Sequence, residues 1–381
     1  MDTTQIKLFL HLFKLYKMKN QEMKSNPVIL LLKKSLLDLP SPSSISYMWN
    51  MGFLLGMTLG LQIVSGVVLS MMYSAQTDLA FTVMLSIMQD INSGWVTRML
   101  HANGASLFFV LIYFHTARGM YFLSSGNKPK VWISGVLIML MTMATAFLGY
   151  VLPWGQMSFW GATVITGVLS AIPIVGNDLV TWIWGGPSVS QPTLNRFFSL
   201  HFLLPMIISV MVIIHLILLH EKGSSNPSGI VSSTDKIKFN PLFSLKDSIP
   251  MMTIMFFMIM MISNIPNILG DVENFNQANP LIAPLHIQPE WYFLFAYVIL
   301  RSIPSKLGGV VALVLSILII SILVVKKSKT SKFSISKKSK FWFFISIIFI
   351  LTWIGAKTVE SPFEGIGQIY TILYFFVVLL L

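Results

Sequence analysis

Apolar residues in this 381-residue chain fall into long blocks with short polar interruptions, not into an alternating stripe. Blocks near 50–72, 94–122, 131–152, 193–220, 248–268, 307–325, 341–357 and 366–381 each approach the roughly 20 residues a helix needs to cross a hydrocarbon core of ~30 Å, so the pattern predicts eight transmembrane helices. Segments 28–38, 157–169 and 287–301 are apolar but too short to span, and Pro or Gly bounds each, which predicts interfacial or re-entrant helices. Residues 222–247 and 326–340 read as polar loops, and no repeat of solenoid length is present. The N-terminal DTTQIKLFLHLFKLYKMKNQE has the charge of a targeting peptide. Lysines break its apolar stretch and no small-residue cleavage site follows.

Composition agrees on the solvent. Hydrophobic residues make up 55% and charged residues 10%, against roughly 25% charged in soluble domains. Cysteine is absent, so disulfides and thiolate metal sites are excluded, and a metal would have to be held by the seven histidines or by oxygen ligands. The net charge of +12 is unevenly divided. If the eight spans alternate, the N-terminal side collects 21 of the 26 Lys and Arg, and only Arg98, Arg196, Arg301, Lys306 and Lys357 lie on the other side. That is the positive-inside pattern, and one missed helix would scramble it. These cations flank spans and accompany no base-reading motif, so nucleic-acid binding is not predicted.

Histidine is expensive in lipid, yet HANGASLFFVLIYFH runs from His101 to His115 and HFLLPMIISVMVIIH from His201 to His215, with one fourteen-residue step. Fourteen residues turn a helix about 1400°, some 40° short of four turns, and rise roughly 21 Å. Each pair therefore lies on nearly one face at two depths. Two such helices side by side can set His101 against His201 and His115 against His215. The commonest use of two axial imidazoles in a helical membrane bundle is a six-coordinate haem, and two levels imply two stacked haems. Any one of these histidines alone reads first as a hydrogen-bonded structural residue or a proton relay; four at matched spacing favour the ligand reading. Gly52 and Gly66 are also fourteen apart, as are Gly135 and Gly149, and a flat macrocycle between helices needs such bare backbone. Arg98, Arg118 and Arg196 sit near the histidines at depths where haem carboxylates would emerge, although snorkelling explains each singly.

The chain resembles the mitochondrial cytochrome b family over about residues 23–378, through GWVTRMLHANGAS, GYVLPWGQMSFWGATVIT, TLNRFFSLHFLLP, DKIKFNPLFSLKD, PEWYFLFAYVILRSIPSKLGGV and ESPFEGIGQ. The resemblance implies an all-α integral membrane protein of the inner mitochondrial membrane, the quinone-binding subunit of ubiquinol–cytochrome c reductase. Its eight transmembrane helices would include a four-helix bundle holding two b-type haems. His101 and His201 would hold the low-potential haem, and His115 and His215 the high-potential haem nearer the matrix. Residues 23–230 would be the haem-binding domain, 231–381 a C-terminal transmembrane domain, and 1–22 an atypical extension, with Met23 as a candidate initiator.

The resemblance also supplies two quinone sites. Quinol oxidation is expected around Gly161, Pro289, Glu290, Trp291 and Tyr292, with Tyr150 and Tyr297 alongside. Oxidising a quinol releases two protons, and a carboxylate in an apolar pocket has the raised pKa to accept one. The plainer reading makes Glu290 a solvated interfacial residue beside belt aromatics. Quinone reduction is expected at His220 and Asp247, with Lys246 and Ser224 beside them; without the resemblance these are solvated loop residues. One electron from quinol would pass to a Rieske iron–sulfur protein and the other through both haems to matrix-side quinone. The implied partners are that protein, a cytochrome c1 subunit, other complex III subunits, a second copy of the chain and the lipid membrane. Four departures from the family's pattern are visible: Ser225 and Asn240 in the quinone-reduction loop, and Ala117 and Leu123 near the second haem. A proton-coupled transporter with a histidine relay is the reading from another class; no Asp or Glu lies mid-span to support it. The plastid counterpart divides this region between two chains, whereas here it is continuous.

Overall fold

The computed structural model describes residues 26–122, 124–229, 232–325 and 334–381. The 1–22 extension, Met23, Leu123 and most of the 326–340 loop lie outside the described residues. Helices of nine residues or more are α1 (Met51–Ser70), α2 (Ala80–Gln89), α3 (Gly94–Tyr121), α4 (Pro129–Val151), α5 (Gln156–Gly167), α6 (Gly176–Trp184), α7 (Gln191–Lys222), α8 (Leu242–Asn264), α9 (Leu294–Ser302), α10 (Lys306–Leu318), α11 (Ile335–Gly355) and α12 (Phe363–Leu380).

Among the described residues, seven helices are long and apolar enough to cross a membrane. The remaining expected span is α3, whose 28 residues give ample length. Its mean hydropathy is diluted by Arg98, His101, Asn103, His115 and Arg118, the groups that make it interesting. The fold is therefore all-α and multi-pass. The expected starts shift most at α8, which begins at Leu242 rather than 248, and at α11, which begins at Ile335 rather than 341 and so takes in the end of the expected 326–340 loop, because each helix continues through the polar residues ahead of its apolar run; α8 also carries Pro250 inside. Proline loses one backbone bond there, and the helix continues on the others. Lys246 and Asp247 consequently lie on a helix, not in the loop assigned to them from the sequence. The expected 287–301 helix begins late, as a 3-10 turn at Trp291–Phe293 leading into α9, because Pro289 holds the preceding backbone extended. Helices α2 and α6 were not anticipated.

α1 packs along α3, α4 packs along α7, and α1 touches α7, so α3 and α7 face each other across a gap. A second core joins α3 to α9, α11 and α12 through Phe109, Tyr292, Val298, Ile347, Leu351 and Tyr374. At one end of the bundle the α4–α5 junction is sewn to the loop before α9. Gln156 N donates to Asn276 O at 2.9 Å, Ala278 N to Trp154 O at 3.0 Å, and the Gln156 and Trp160 side chains both donate to Ile282 O. Gly155 is required here, since a Cβ would lie 2.4 Å from Asn274 Oδ1. At the other end, strand β1 (Pro40–Pro42) pairs antiparallel with β2 (Lys236–Lys238), and Lys128 Nζ donates to Gly223 O at 2.5 Å.

Candidate functional site

Across the gap between α3 and α7 the histidines pair as their spacing predicts. Rings of His101 and His201 lie 6.1 Å apart between centroids, and those of His115 and His215 lie 6.4 Å apart. Two imidazole nitrogens, each about 2.0–2.1 Å from one first-row metal, with about 1.1 Å from nitrogen to ring centre, put the centroids roughly 6.3 Å apart. Both gaps match. Among the described residues no group of three or more His, Asp or Glu could hold a metal ion. An iron between either pair would need its remaining four ligands from a macrocycle, so the donor set fits a bis-imidazole haem and not a bare ion.

Hydrogen bonds prepare three of the four rings. Ser65 Oγ donates to Leu61 O at 2.7 Å, so it accepts from His101 Nδ1 at 3.0 Å. Ser134 Oγ donates to Val131 O and accepts from His215 Nδ1 at 2.8 Å. His201 Nδ1 donates to Thr145 O at 2.8 Å. Each contact places the proton on Nδ1 and leaves the Nε2 lone pair available to a metal. His115 differs, because Arg118 Nη2 can only donate to its Nδ1, at 3.1 Å. Use of its Nε2 as a ligand requires Arg118 to turn away.

The paired glycines face the imidazoles themselves. A Cβ at Gly149 would fall 2.3 Å from His201 Cε1, at Gly66 3.0 Å from His101 Cε1, at Gly135 3.3 Å from His215 Cε1 and at Gly52 3.6 Å from His115 Cε1. The fourteen-residue interval on four helices is thus one register: a bare glycine behind every histidine. A cavity of about 360 Å³ opens at the His101–His201 level, and Gly66, Gly149 and Arg98 line it with both rings. Arg118 lies by the second pair, over the Trp49 ring at 5.3 Å. Arg196 turns elsewhere, donating to the carbonyls of Trp182 and Ile183 at the end of α6.

A second, smaller pocket adjoins that cavity. Tyr150, Gly161, Pro289, Glu290 and Tyr297 line it together with Phe147 and Gln288, which unites five of the residues expected around quinol oxidation. Gly161 opens onto free space, and Tyr297 is held by its hydroxyl on Ile287 O at 3.0 Å. Tyr292 is not a belt aromatic: it is 4% exposed and stacks on Phe109. Glu290 borders both spaces. Burial in this apolar wall, with repulsion from Asp271 added and the pull of Arg98 opposing, pushes its carboxyl up to about 7.

The opposite end is looser. His220 lies in the last turn of α7 and Ser224 in the loop after it, while Asp247 is buried in α8. Lys246 Nζ donates to Ile45 O at 2.5 Å over the Tyr47 ring, and Asn50 Nδ2 donates to Lys246 O at 2.7 Å. No side-chain hydrogen bond joins His220 to Asp247.

Ser65, Ser134 and Asp271 were missed in the sequence. The two serines carried a readable signal, because each immediately precedes a paired glycine: Ser65–Gly66 and Ser134–Gly135. Asp271 carried none, since a loop fold brings it to Glu290. Comparison with known proteins accords with this geometry. Residues 36–223 match the family model described as cytochrome b/b6/petB, and residues 277–375 match the cytochrome b C-terminal/b6/petD model. A chain of a solved hyperthermophilic respiratory Complex III superposes with a TM-score of 0.87 at 31% identity, over 94% of this chain and 96% of that one. The chain belongs to the cytochrome b family.

Proposed function

We propose that this cytochrome b is the dihaem, quinone-binding subunit of a mitochondrial ubiquinol–cytochrome c reductase. Membership of the family implies b-type haem and an electron-transfer role. The finer reading rests on one observation, the two imidazole pairs at bis-ligand separation between α3 and α7. When bound, two haems would carry single electrons between the two ends of the bundle.

The chain's own residues would do the rest. His101 with His201, and His115 with His215, would hold the two haems; Ser65, Thr145 and Ser134 set the lone pairs of His101, His201 and His215, and His115 joins them once Arg118 turns away. Arg98 offers a cation to haem carboxylates beside the first pair. In the small pocket Glu290 accepts a proton from quinol and Tyr297 shapes the wall, while Gly161 leaves room for the ring. At the other end His220 and Asp247, with Lys246 and Ser224, would bind quinone and deliver protons to it. Residues 23–230 would form the haem domain, and 231–381 would complete the quinol pocket. Because the chain has no cysteine for an iron–sulfur cluster, the second electron acceptor must be a partner: the Rieske protein, with cytochrome c1, other complex III subunits and a second copy of the chain completing the assembly.

The test is ligand replacement. His215→Leu should remove one b-type signal and leave the other, because the two levels lie about 21 Å apart along the helices and share no ligand. Two intact six-coordinate signals in the purified variant would refute the pairing.

A further inference from the structure

Helix α3 carries a second constellation beside its histidines. Ser106, Phe109 and Tyr113 follow at steps of three and four residues, so they form one stripe, roughly 130° round the helix from the mean direction of His101 and His115. That stripe meets the Trp291–Phe293 turn at three points. The Tyr113 hydroxyl donates to the backbone carbonyl of Tyr292. The Trp291 indole donates to Ser106 Oγ at 3.2 Å. The Phe109 ring lies flat on that of Tyr292, 4.1 Å between centroids and 5° between planes. Ser106, Phe109 and Tyr292 are all buried, so water does not readily replace these contacts.

We infer that Ser106, Phe109 and Tyr113 are a latch that positions Glu290 in the wall of the small pocket. Glu290 is the residue immediately before the latched turn, and its carbonyl accepts from Phe293 N at 2.9 Å. Pro289 fixes the backbone on its other side. None of the three latch residues lines the pocket, so they act through Glu290 and are positioning residues, not catalytic ones. Because the latch sits on the helix that bears His101, one rigid element sets the carboxyl relative to the first imidazole pair. The stacked Phe109 and Tyr292 also wall the larger cavity on this side. The inference rests on reading the small pocket as the quinol-oxidation site.

The test uses the assembled complex. Tyr113→Phe keeps the ring and removes the donor; quinol oxidation should slow by about 3–10-fold, the rate equivalent of one net hydrogen bond. Both haem signals and quinone reduction at the opposite end should be unchanged. In a Glu290→Gln background the added effect of Tyr113→Phe should shrink to within about twofold, because the group it positions is already gone. A full additional loss in that background, or a wild-type rate for Tyr113→Phe alone, would overturn the latch. Amide exchange separates this from failure of the quinol-site reading. Tyr113→Phe should speed exchange across the Trp291–Phe293 turn even if Glu290→Gln proves inert, and unchanged exchange there would overturn the latch by itself. Ser106→Ala, which removes the acceptor for Trp291, should shift the same exchange in the same direction and stands in if Tyr113→Phe fails to assemble.

Discussion

At the scale of single residues, Glu290 separates a chemical role from a structural one. Its carboxyl is pushed up to about 7 by burial and by Asp271, so as a base it is available above that pH and protonated below it. Quinol oxidation should therefore rise as pH increases through about 7. Glu290→Gln keeps the shape and hydrogen-bonding of the site without a titrating group, so its rate should lose this limb and fall by ~10²-fold or less, the low end of general-base contributions. Steady-state rates from pH 5.5 to 9 on the normally assembled complex would check this, a range chosen to bracket the raised value. A wild-type profile would make Glu290 an anchor only. The histidines were legible from the sequence because their cost in lipid makes them conspicuous and their spacing is local. Asp271 was not, because its effect on Glu290 arises where residues nineteen apart are folded into one loop end.

At the scale of elements, the glycine–histidine contacts turn a sequence interval into a packing requirement that is strictest at Gly149 and absent at Gly52, where a Cβ would make ordinary contact at 3.6 Å. Alanine normally favours a helix over glycine by about 1 kcal/mol, so Gly149→Ala should strengthen α4 as a helix. It should nonetheless abolish the signal of the His101–His201 site, because the new Cβ would lie 2.3 Å from His201 Cε1 with the backbone fixed. Gly60→Ala, whose Cβ would meet nothing within 4 Å, should leave both signals in place. Visible spectra of the two purified variants would decide, and an unaltered spectrum for Gly149→Ala would mean that the ring is free to shift. Long apolar blocks revealed the spanning helices, since each is a property of one continuous segment. α2 and α6 escaped because short helices between spans have neither the length nor the uniform apolarity that marks a crossing. The late start of the helix after Pro289 reflects a proline that ends one element, whereas α8 starts early because Lys246 and Asp247 read as loop by their charge yet lie in its first turns.

At the scale of the whole molecule, the candidate site residues lie at two ends, on helices and the loop before α9 at one and mainly on helix ends at the other, with the imidazole pairs between them. The first end is tightly sewn, through the α4–α5 junction and the loop before α9. The second is held by the β1–β2 ribbon and by Lys128 and Lys246. A consequence is that the ends can be disabled separately. Asp247→Asn should slow re-oxidation of the His115–His215 haem by quinone while leaving the first quinol oxidation nearly normal, because only the end proposed to reduce quinone would lose a proton donor. Single-turnover kinetics would check it, and equal slowing of both steps would make Asp247 structural.

On the reading proposed above, one chain holds two b-type haems between α3 and α7. The direct measurement is haem content per chain of the purified protein, taken with a redox titration of its reduced-minus-oxidised spectrum. Two haems per chain are expected, titrating as two separate components. A single haem, a single component, or a chain that purifies folded with none would contradict that reading.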